Sequence, residues 1–376
     1  MFTTNFEQAA KLVSSAQYPE DIFANAESTP KIVFRILRKV LHEDFAPIDK
    51  KRLAKDTFSK LQIAWELTEQ LIADNSFGKK TKLISAHIAT ASGASFFVKS
   101  KKGVYGDLVI LAEGKVSIVY LGSDAAGNKV VVKVAANPAC NQFLENEAGN
   151  LKRMSDRFPT TESGRYFPTL LDNFFVMNAG NKLAVNVFAY CEGYYPLSQV
   201  CEMFNDAHEL IDVRAAAWMY NRILESLAHA HPTGIVHGGV HPDNVLLHPD
   251  SHRIVLTGWT SSVIVPEKIP YASAKHLALY PKEVVGNKAD RRSAFSTDLY
   301  MAAASIITTL GGNVITKTLP TSVPKEIRAF LNARLIEEVG LRDNVAIQQR
   351  DRFGEVLKSL FGPPKFHSFV LPTSRR

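Results

Sequence analysis

The hydrophobic period changes along this chain from helical to strand-like and back to helical, which restricts it to a mixed architecture with more than one core. In STPKIVFRILRKVLHED the apolar residues Val33, Ile36, Leu37, Val40 and Leu41 recur at the 3.6-residue spacing of an amphipathic helix, after a Ser/Thr-Pro start. The opposite face carries Lys31, Arg35, Arg38 and Lys39. A polar link, EDFAPIDKK, leads to RLAKDTFSKLQIAWELTEQLI, whose apolar face is Leu53, Phe58, Leu61, Ala64, Trp65 and Leu67. The polar stretch ADNSFGKKTK ends this pattern. Beyond it come β-branched runs, TKLISAHIAT, ASFFVKS, GDLVILAEGKVSIVYLG and KVVVKVA, with a hairpin turn at DAAGN. One helix, NQFLENEAGNLKRM, precedes two more strands, LLDNFFVMN and KLAVNVFAYCEG. From Asp212 helices dominate, and STDLYMAAASIITTL is apolar all round, as a helix at a domain centre would be. The tail GPPKFHSFVLPTSRR is expected to lie extended along a surface.

Composition excludes several classes. A hydrophobic share of 46% and a charged share of 22% are those of a globular chain, and 376 residues suffice for two or three cores. The net charge of +7 is mild, and its signs are mixed throughout, so a dedicated nucleic-acid binder is not expected. Cys140, Cys191 and Cys201 are odd in number and form no C-x-x-C, which suits reduced thiols better than zinc or disulfides. The start MFTTNFEQAAKLV has neither the basic nor the apolar region of a secretory signal, and the apolar run Leu299–Leu310 is too short to span a bilayer. The expectation is a cytoplasmic protein with no membrane partner.

Strands first and helices later, across two unequal lobes, resembles a protein kinase, and particular residues carry the likeness. AEGKVSIVYLG occupies the place of the phosphate-covering loop, with Gly114 and Val119-Tyr120 fitting its pattern and Ala112 and Ser117 replacing two glycines. Lys133, in VVVKVA, matches the lysine that grips the phosphates, and Glu147 its ion-pair partner, with Glu145 a nearby rival. FAYCEGYYPLSQV, including Cys191, resembles the lobe-connecting hinge that contacts adenine. His237-Gly238-Gly239 aligns with H-R-D and Pro242-Asp243-Asn244 with P-E-N. Gly258-Trp259-Thr260 falls at D-F-G, and Glu283 in YPKEV at A-P-E. Asp298 begins the buried helix, where kinases use an Asp to tie down the catalytic loop, and Arg350 or Arg352 is the expected partner of Glu283.

The departures from that pattern carry the functional expectation. The catalytic base is replaced by Gly239 and the metal-binding Asp by Gly258. Glycine neither accepts a proton nor coordinates a cation, and phosphoryl transfer relies on positioning and metal charge. The resemblance therefore implies a pseudokinase rather than an enzyme. ATP is the candidate ligand of Gly114, Lys133, Glu147, Cys191 and Asn244, whereas magnesium is not expected to be held. Displaced carboxylates, Asp243 or Asp250, are the alternative route to an active kinase.

H-P-D, the signature of the J domain of DnaJ-type co-chaperones, occurs twice, at His241–Asp243 and His248–Asp250. Both follow short β-branched runs rather than a basic helix, so they read as turn residues. A J-like arrangement occurs earlier. The basic helix bearing Arg35, Arg38 and Lys39 runs into His42-Glu43-Asp44, and the next helix resembles the third helix of that domain over Ala54 to Leu67. YPEDIFANA resembles its opening, and Glu43 replaces the proline. The resemblance implies a degenerate J-like module whose partner is a protein, a DnaK-type chaperone being the candidate.

The expectation is thus an α+β chain with a J-like helical hairpin at 1–78, a β-rich kinase-like lobe at 79–192 and a helical lobe with an extended tail at 193–376. Its expected role is a non-catalytic scaffold or regulatory protein. A co-chaperone that stimulates a DnaK-type ATPase, and a kinase using displaced acids, are the alternatives.

Overall fold

The computed structural model describes residues 4–16, 19–24, 29–42, 46–51, single positions between 53 and 77, 97–158, 165–178, 181–285 and 291–372. The strand expected at TKLISAHIAT, the start of ASFFVKS, and Glu43, Asp44 and Leu67 lie outside the described residues. The chain is of the α+β class and divides into two compact units, Met1–Phe96 and Phe97–Arg376. Among the described residues no helix is long and apolar enough to cross a membrane.

The first unit contains α1 (Phe6–Ser15), α2 (Pro19–Phe23) and α3 (Pro30–Val40), followed by helical residues between 51 and 72. Asn5 and Gln8 form a capping box that satisfies orphan amides at the start of α1. The sequence suggested a two-helix hairpin, and α1 is an addition to it. A bare hairpin leaves one side of its apolar stripe wet; here Ala9, Ala10 and Val13 share a core with Val33, Leu37, Leu41, Leu61 and Ala64. Phe34 stacks on Trp65 with centroids 4.6 Å apart, and Phe23 meets the same indole edge-on at 5.6 Å. The charges of α3 point away from this core: Lys31, Arg35, Arg38 and Lys39 are all exposed.

The second unit opens with β1 (Val98–Lys99), β2 (Val104–Glu113), β3 (Ser117–Asp124) and β4 (Lys129–Ala135). Next come α4 (Asn141–Arg157), β5 (Leu170–Asn178) and β6 (Asn181–Ala189). These strands form one antiparallel sheet in the order β1-β2-β3-β4-β6-β5. The remainder is mainly helical: α5 (Leu197–Asp206), α6 (Val213–Ala230), α7 (Lys282–Val285), α8 (Phe295–Thr309), α9 (Lys325–Asn332) and α10 (Ala346–Phe361). The short strand β7 (Tyr195–Pro196) precedes α5, and between α6 and α7 lie β8 (Ile235–Val236), β9 (Val245–His248), β10 (Arg253–Leu256) and β11 (Val263–Ile264). β9 and β10 pair antiparallel, with Pro249 and Asp250 in the turn between them, and β8 pairs with β11.

The division expected at 192–193 falls inside this second unit. Leu151, Met154, Phe167 and Phe188, from its sheet-bearing half, belong to the same core as Leu197, Tyr220, Trp259 and Met301. Trp259 is fully buried, edge-on to Phe167 at 5.3 Å, and its indole N–H donates to Leu256 O at 2.7 Å. Helix α8 is buried from Ser296 to Ile307, which explains why its sequence lacks a polar face. The tail from Gly362 has no regular structure and packs against the body, with Phe369 stacked on Phe204 and Phe366 on His252.

Candidate functional site

The sheet and α4 assemble the first part of the site. Lys133 on β4 is opposite Asn186 on β6, which is opposite Asn173 on β5, so three polar side chains form one row across the sheet. Helix α4 lies over this row, and Lys133 Nζ donates to Glu147 Oε1 at 2.8 Å, both side chains being almost wholly buried. Asn186 fixes the other carboxylate oxygen, its Nδ2 donating to Glu147 Oε2 at 3.1 Å and to Leu144 O at 2.9 Å. Asn173 Nδ2 in turn donates to Asn186 Oδ1 at 2.7 Å. A buried ion pair is tolerable only when its remaining lone pairs are satisfied, and this row supplies the bonds. The rival Glu145 is exposed on another face of α4. Asn186 and Asn173 were not singled out from the sequence; a lone Asn inside the apolar run LAVNVFA was the available signal.

The second part is the loop from His237 to Asn244. The Asp298 carboxylate, completely buried near the start of α8, accepts the amides of His237 (2.8 Å) and Gly238 (2.9 Å) and the Nε2–H of His231 (3.0 Å). Gly238 has φ of +68°, and a Cβ there would lie 2.9 Å from Ser261 O, so the tight turn demands glycine. His237 Nε2–H donates to Thr257 O at 2.7 Å, and its Nδ1 accepts the Gly239 amide at 3.1 Å. Those two bonds define a neutral imidazole, and burial pushes its pKa down. The loop is thereby tied both to α8 and to the segment after β10.

The third part is the contact between Asn244 and Gly258. The Asn244 amide donates to Gly239 O at 2.9 Å and to His241 Nε2 at 3.1 Å. Its Oδ1 lies against Gly258, where a Cβ would come within 2.2 Å of that oxygen. Gly258 also has φ of +76°, a conformation that side-chain-bearing residues rarely adopt. The space into which a carboxylate at 258 would project is filled by the Asn244 amide. Position 239 differs: its φ is not positive, and the nearest atom to a Cβ there is Asn244 Nδ2 at 3.4 Å, an ordinary contact.

Asp243 points elsewhere. It accepts from His276 Nε2 at 2.7 Å and from Lys275 Nζ at 3.0 Å to each oxygen. Burial alone would raise its carboxyl, but hydrogen bonds from His276, Ser198 and Lys275 outweigh that and hold it below the ordinary carboxylate range. Asp250 is exposed in the β9–β10 turn. Burial, with the neighbouring His276 imidazole adding to it, pushes His241 down to about 3.

The remaining expected residues are placed as follows. The Gly114 amide closes the β2–β3 turn by donating to Ser117 O at 2.9 Å. Cys191 follows β6 half-buried, and burial pushes its thiol up. Glu283 on α7 is paired with neither Arg350 nor Arg352. Arg342 takes that place, its Nη2 donating to Glu283 Oε2 at 3.0 Å, while Arg350 binds Glu225 and Asp351 and Arg352 binds Asp343. Arg342 caps a turn that reaches Glu283, whereas Arg350 and Arg352 lie on α10. In the first unit the His42 ring is edge-on to Phe58 at 5.4 Å.

Comparison with models of known protein families gives no match, and comparison with curated proteins gives no significant sequence similarity.

Two outcomes follow from this geometry. Gly258→Ala destabilises the fold by about 1–3 kcal/mol through its disfavoured φ and the displaced Asn244 amide, whereas Gly239→Ala stays within about 0.5 kcal/mol; urea denaturation of each variant tests the contrast. The second outcome concerns pH. An unfolded His241 takes its proton near the ordinary value of 6.5 and the folded one only at about 3, so between these values the unfolded state holds more protons. Stability therefore rises with pH across this window and is lost on acidification, by at most about 1.4 kcal/mol per pH unit from this group. Denaturation curves from pH 7.5 to 5 should show the loss, with a shallower slope for His241→Gln.

Proposed function

We propose that this protein is a non-catalytic pseudokinase with a J-like docking module, acting as a scaffold or regulatory interaction protein. The observation that carries the reading is the Asn244 amide packed against Gly258, where a metal-binding carboxylate would otherwise stand. With Gly239 at the position of the base, the loop offers neither a proton acceptor nor the main metal ligand of phosphoryl transfer. The alternative of displaced acids is disfavoured because Asp243 is engaged by Lys275 and His276, and Asp250 lies in an exposed turn. Supporting the kinase-like layout are the antiparallel sheet with the Lys133–Glu147 pair under α4, and the loop tied to Asp298. ATP without a required metal is the ligand proposed for Gly114, Lys133, Glu147, Cys191 and Asn244. The partner proposed for the helical module is a protein.

Thermal melting of the full chain tests this. ATP should raise the melting temperature equally with and without magnesium, by mass action on the native state. Lys133→Met, compared with its own unliganded melting temperature, should lose the rise. That variant is itself expected to be about 3–5 kcal/mol less stable, because Glu147 is left buried and unpaired. Transfer of γ-phosphate in magnesium or manganese that Lys133→Met abolishes would overturn the proposal.

A second reading, a co-chaperone of a DnaK-type ATPase, is favoured by one observation. Arg35, Arg38 and Lys39 are all exposed on α3, which ends just before His42. It requires that the protein raise the ATP turnover of such a chaperone and that His42→Gln cancel the effect; unchanged turnover with the wild-type chain would exclude it.

A further inference from the structure

We propose that His241, Asp243 and His276 form a binding site for one divalent transition-metal ion of the zinc class. The proposal does not depend on the pseudokinase reading, since it concerns a different set of side chains from the Asn244–Gly258 position.

One ligand atom from each of the three residues lies within 4.8 Å of the other two. His276 Nε2 is already 2.7 Å from Asp243 Oδ2, and the two imidazole rings stack with centroids 4.3 Å apart and planes 20° from parallel. Zinc–nitrogen and zinc–oxygen bonds of about 2.0–2.2 Å place ligand atoms roughly 3–3.5 Å apart. Imidazole lone pairs lie in the ring plane, so closure on one ion also requires the His276 ring to turn out of its stack on His241. Two imidazoles and one carboxylate form a donor set that suits zinc, cobalt, nickel or copper and discriminates against magnesium and calcium, which favour oxygen ligands.

The scaffold is also suitable. His241 and Asp243 flank Pro242, and Pro242–Asn244 form a single 3-10 turn, so their spacing is set by a stiff backbone. His276 comes from the separate 3-10 segment Ala274–Leu279. An ion held by all three joins the two segments. His241 is nearly fully buried; its Nε2 is taken by the Asn244 amide, and its buried Nδ1 has no hydrogen-bond partner. While Nε2 accepts that N–H, the neutral ring carries its proton on Nδ1, so ligation by His241 requires release of the Asn244 contact. The unpaired, buried Nδ1–H, uncommon in a folded protein, marks this ring as not fully satisfied in its present arrangement. The remaining coordination positions fall to water.

Lys275 is the competing group. Its ammonium lies 3.0 Å from both oxygens of Asp243, but the side chain is 64% exposed and free to turn into solvent. An incoming ion must displace it, so in the absence of metal Lys275 acts as a tethered cation on the same carboxylate. This gives a signature that a nonspecific surface site lacks: removing a positive charge should matter in a predictable direction.

The experiment uses the full chain without an affinity tag, stripped with chelator and then freed of it. Titration with zinc chloride by calorimetry should give one equivalent bound, with a rise in melting temperature, and cobalt chloride should give visible absorption bands from imidazole ligation. His276→Ala, at a largely buried position outside the main core, should weaken zinc binding about tenfold or more, and Asp243→Asn similarly. Lys275→Met should tighten it. Magnesium chloride should give neither heat nor a melting shift at these residues. Failure of the wild-type chain to bind zinc stoichiometrically overturns the proposal. So does binding that survives in a folded His276→Ala, or a Lys275→Met variant that binds more weakly than wild type.

Discussion

The second unit is organised around the Asp298 carboxylate. Removing a carboxylate from water costs several kcal/mol, and this one has no exposure at all. Two backbone amides and one imidazole N–H, each a charge-assisted donor contributing about 1.5–3 kcal/mol, offset that cost only if the loop from His231 to Gly238 adopts one course. The left-handed turn at Gly238, the fixed tautomer of His237 and the position of Asn244 all follow from that course. Loop geometry here is therefore a consequence of a buried charge at the head of an otherwise apolar helix.

A second buried network, the row Lys133–Asn186–Asn173 beneath Glu147, does the same for the sheet. It holds α4 on the sheet through one ion pair and a ladder of amides. At its other end Asn150 Nδ2 donates to Ser262 Oγ at 2.9 Å, just beyond the turn that Gly258 begins. The helix carrying Glu147 and the segment carrying Gly258 are thus linked directly. The proposed binding role rests on this ordered framework together with the glycines at 239 and 258.

Much of the element order was legible in the sequence because local chemistry determines it. The 3.6-residue stripe of α3, the β-branched runs of β3 and β4, and the unbroken apolar length of α8 each state their own environment. Within the site, Lys133, Glu147, Asp298 and the two glycines are singled out by the resemblance to protein kinases. Other features were not accessible that way. Glu147 and Glu145 are both acidic residues on one helix, and only the packing of α4 on the sheet decides which is buried. Helix α1 has a short apolar stripe whose significance appears only when it covers the α3 core. Arg342 rather than Arg350 or Arg352 meets Glu283 because a turn, which has no period, brings it there.

The sequence by itself determined that the chain has two helical regions around a β-rich one, and that glycine stands at positions 239 and 258. It could not say which side chains stand beside those glycines. Tertiary structure decided that, because the answer depends on distances between residues far apart in the chain. Asn244 and Gly258 come together only through the pairing of β9 with β10, and His276 reaches Asp243 only through a segment more than thirty residues further on. Local periodicity encodes which face of an element is apolar; it does not encode which side chains of different elements will share one buried volume.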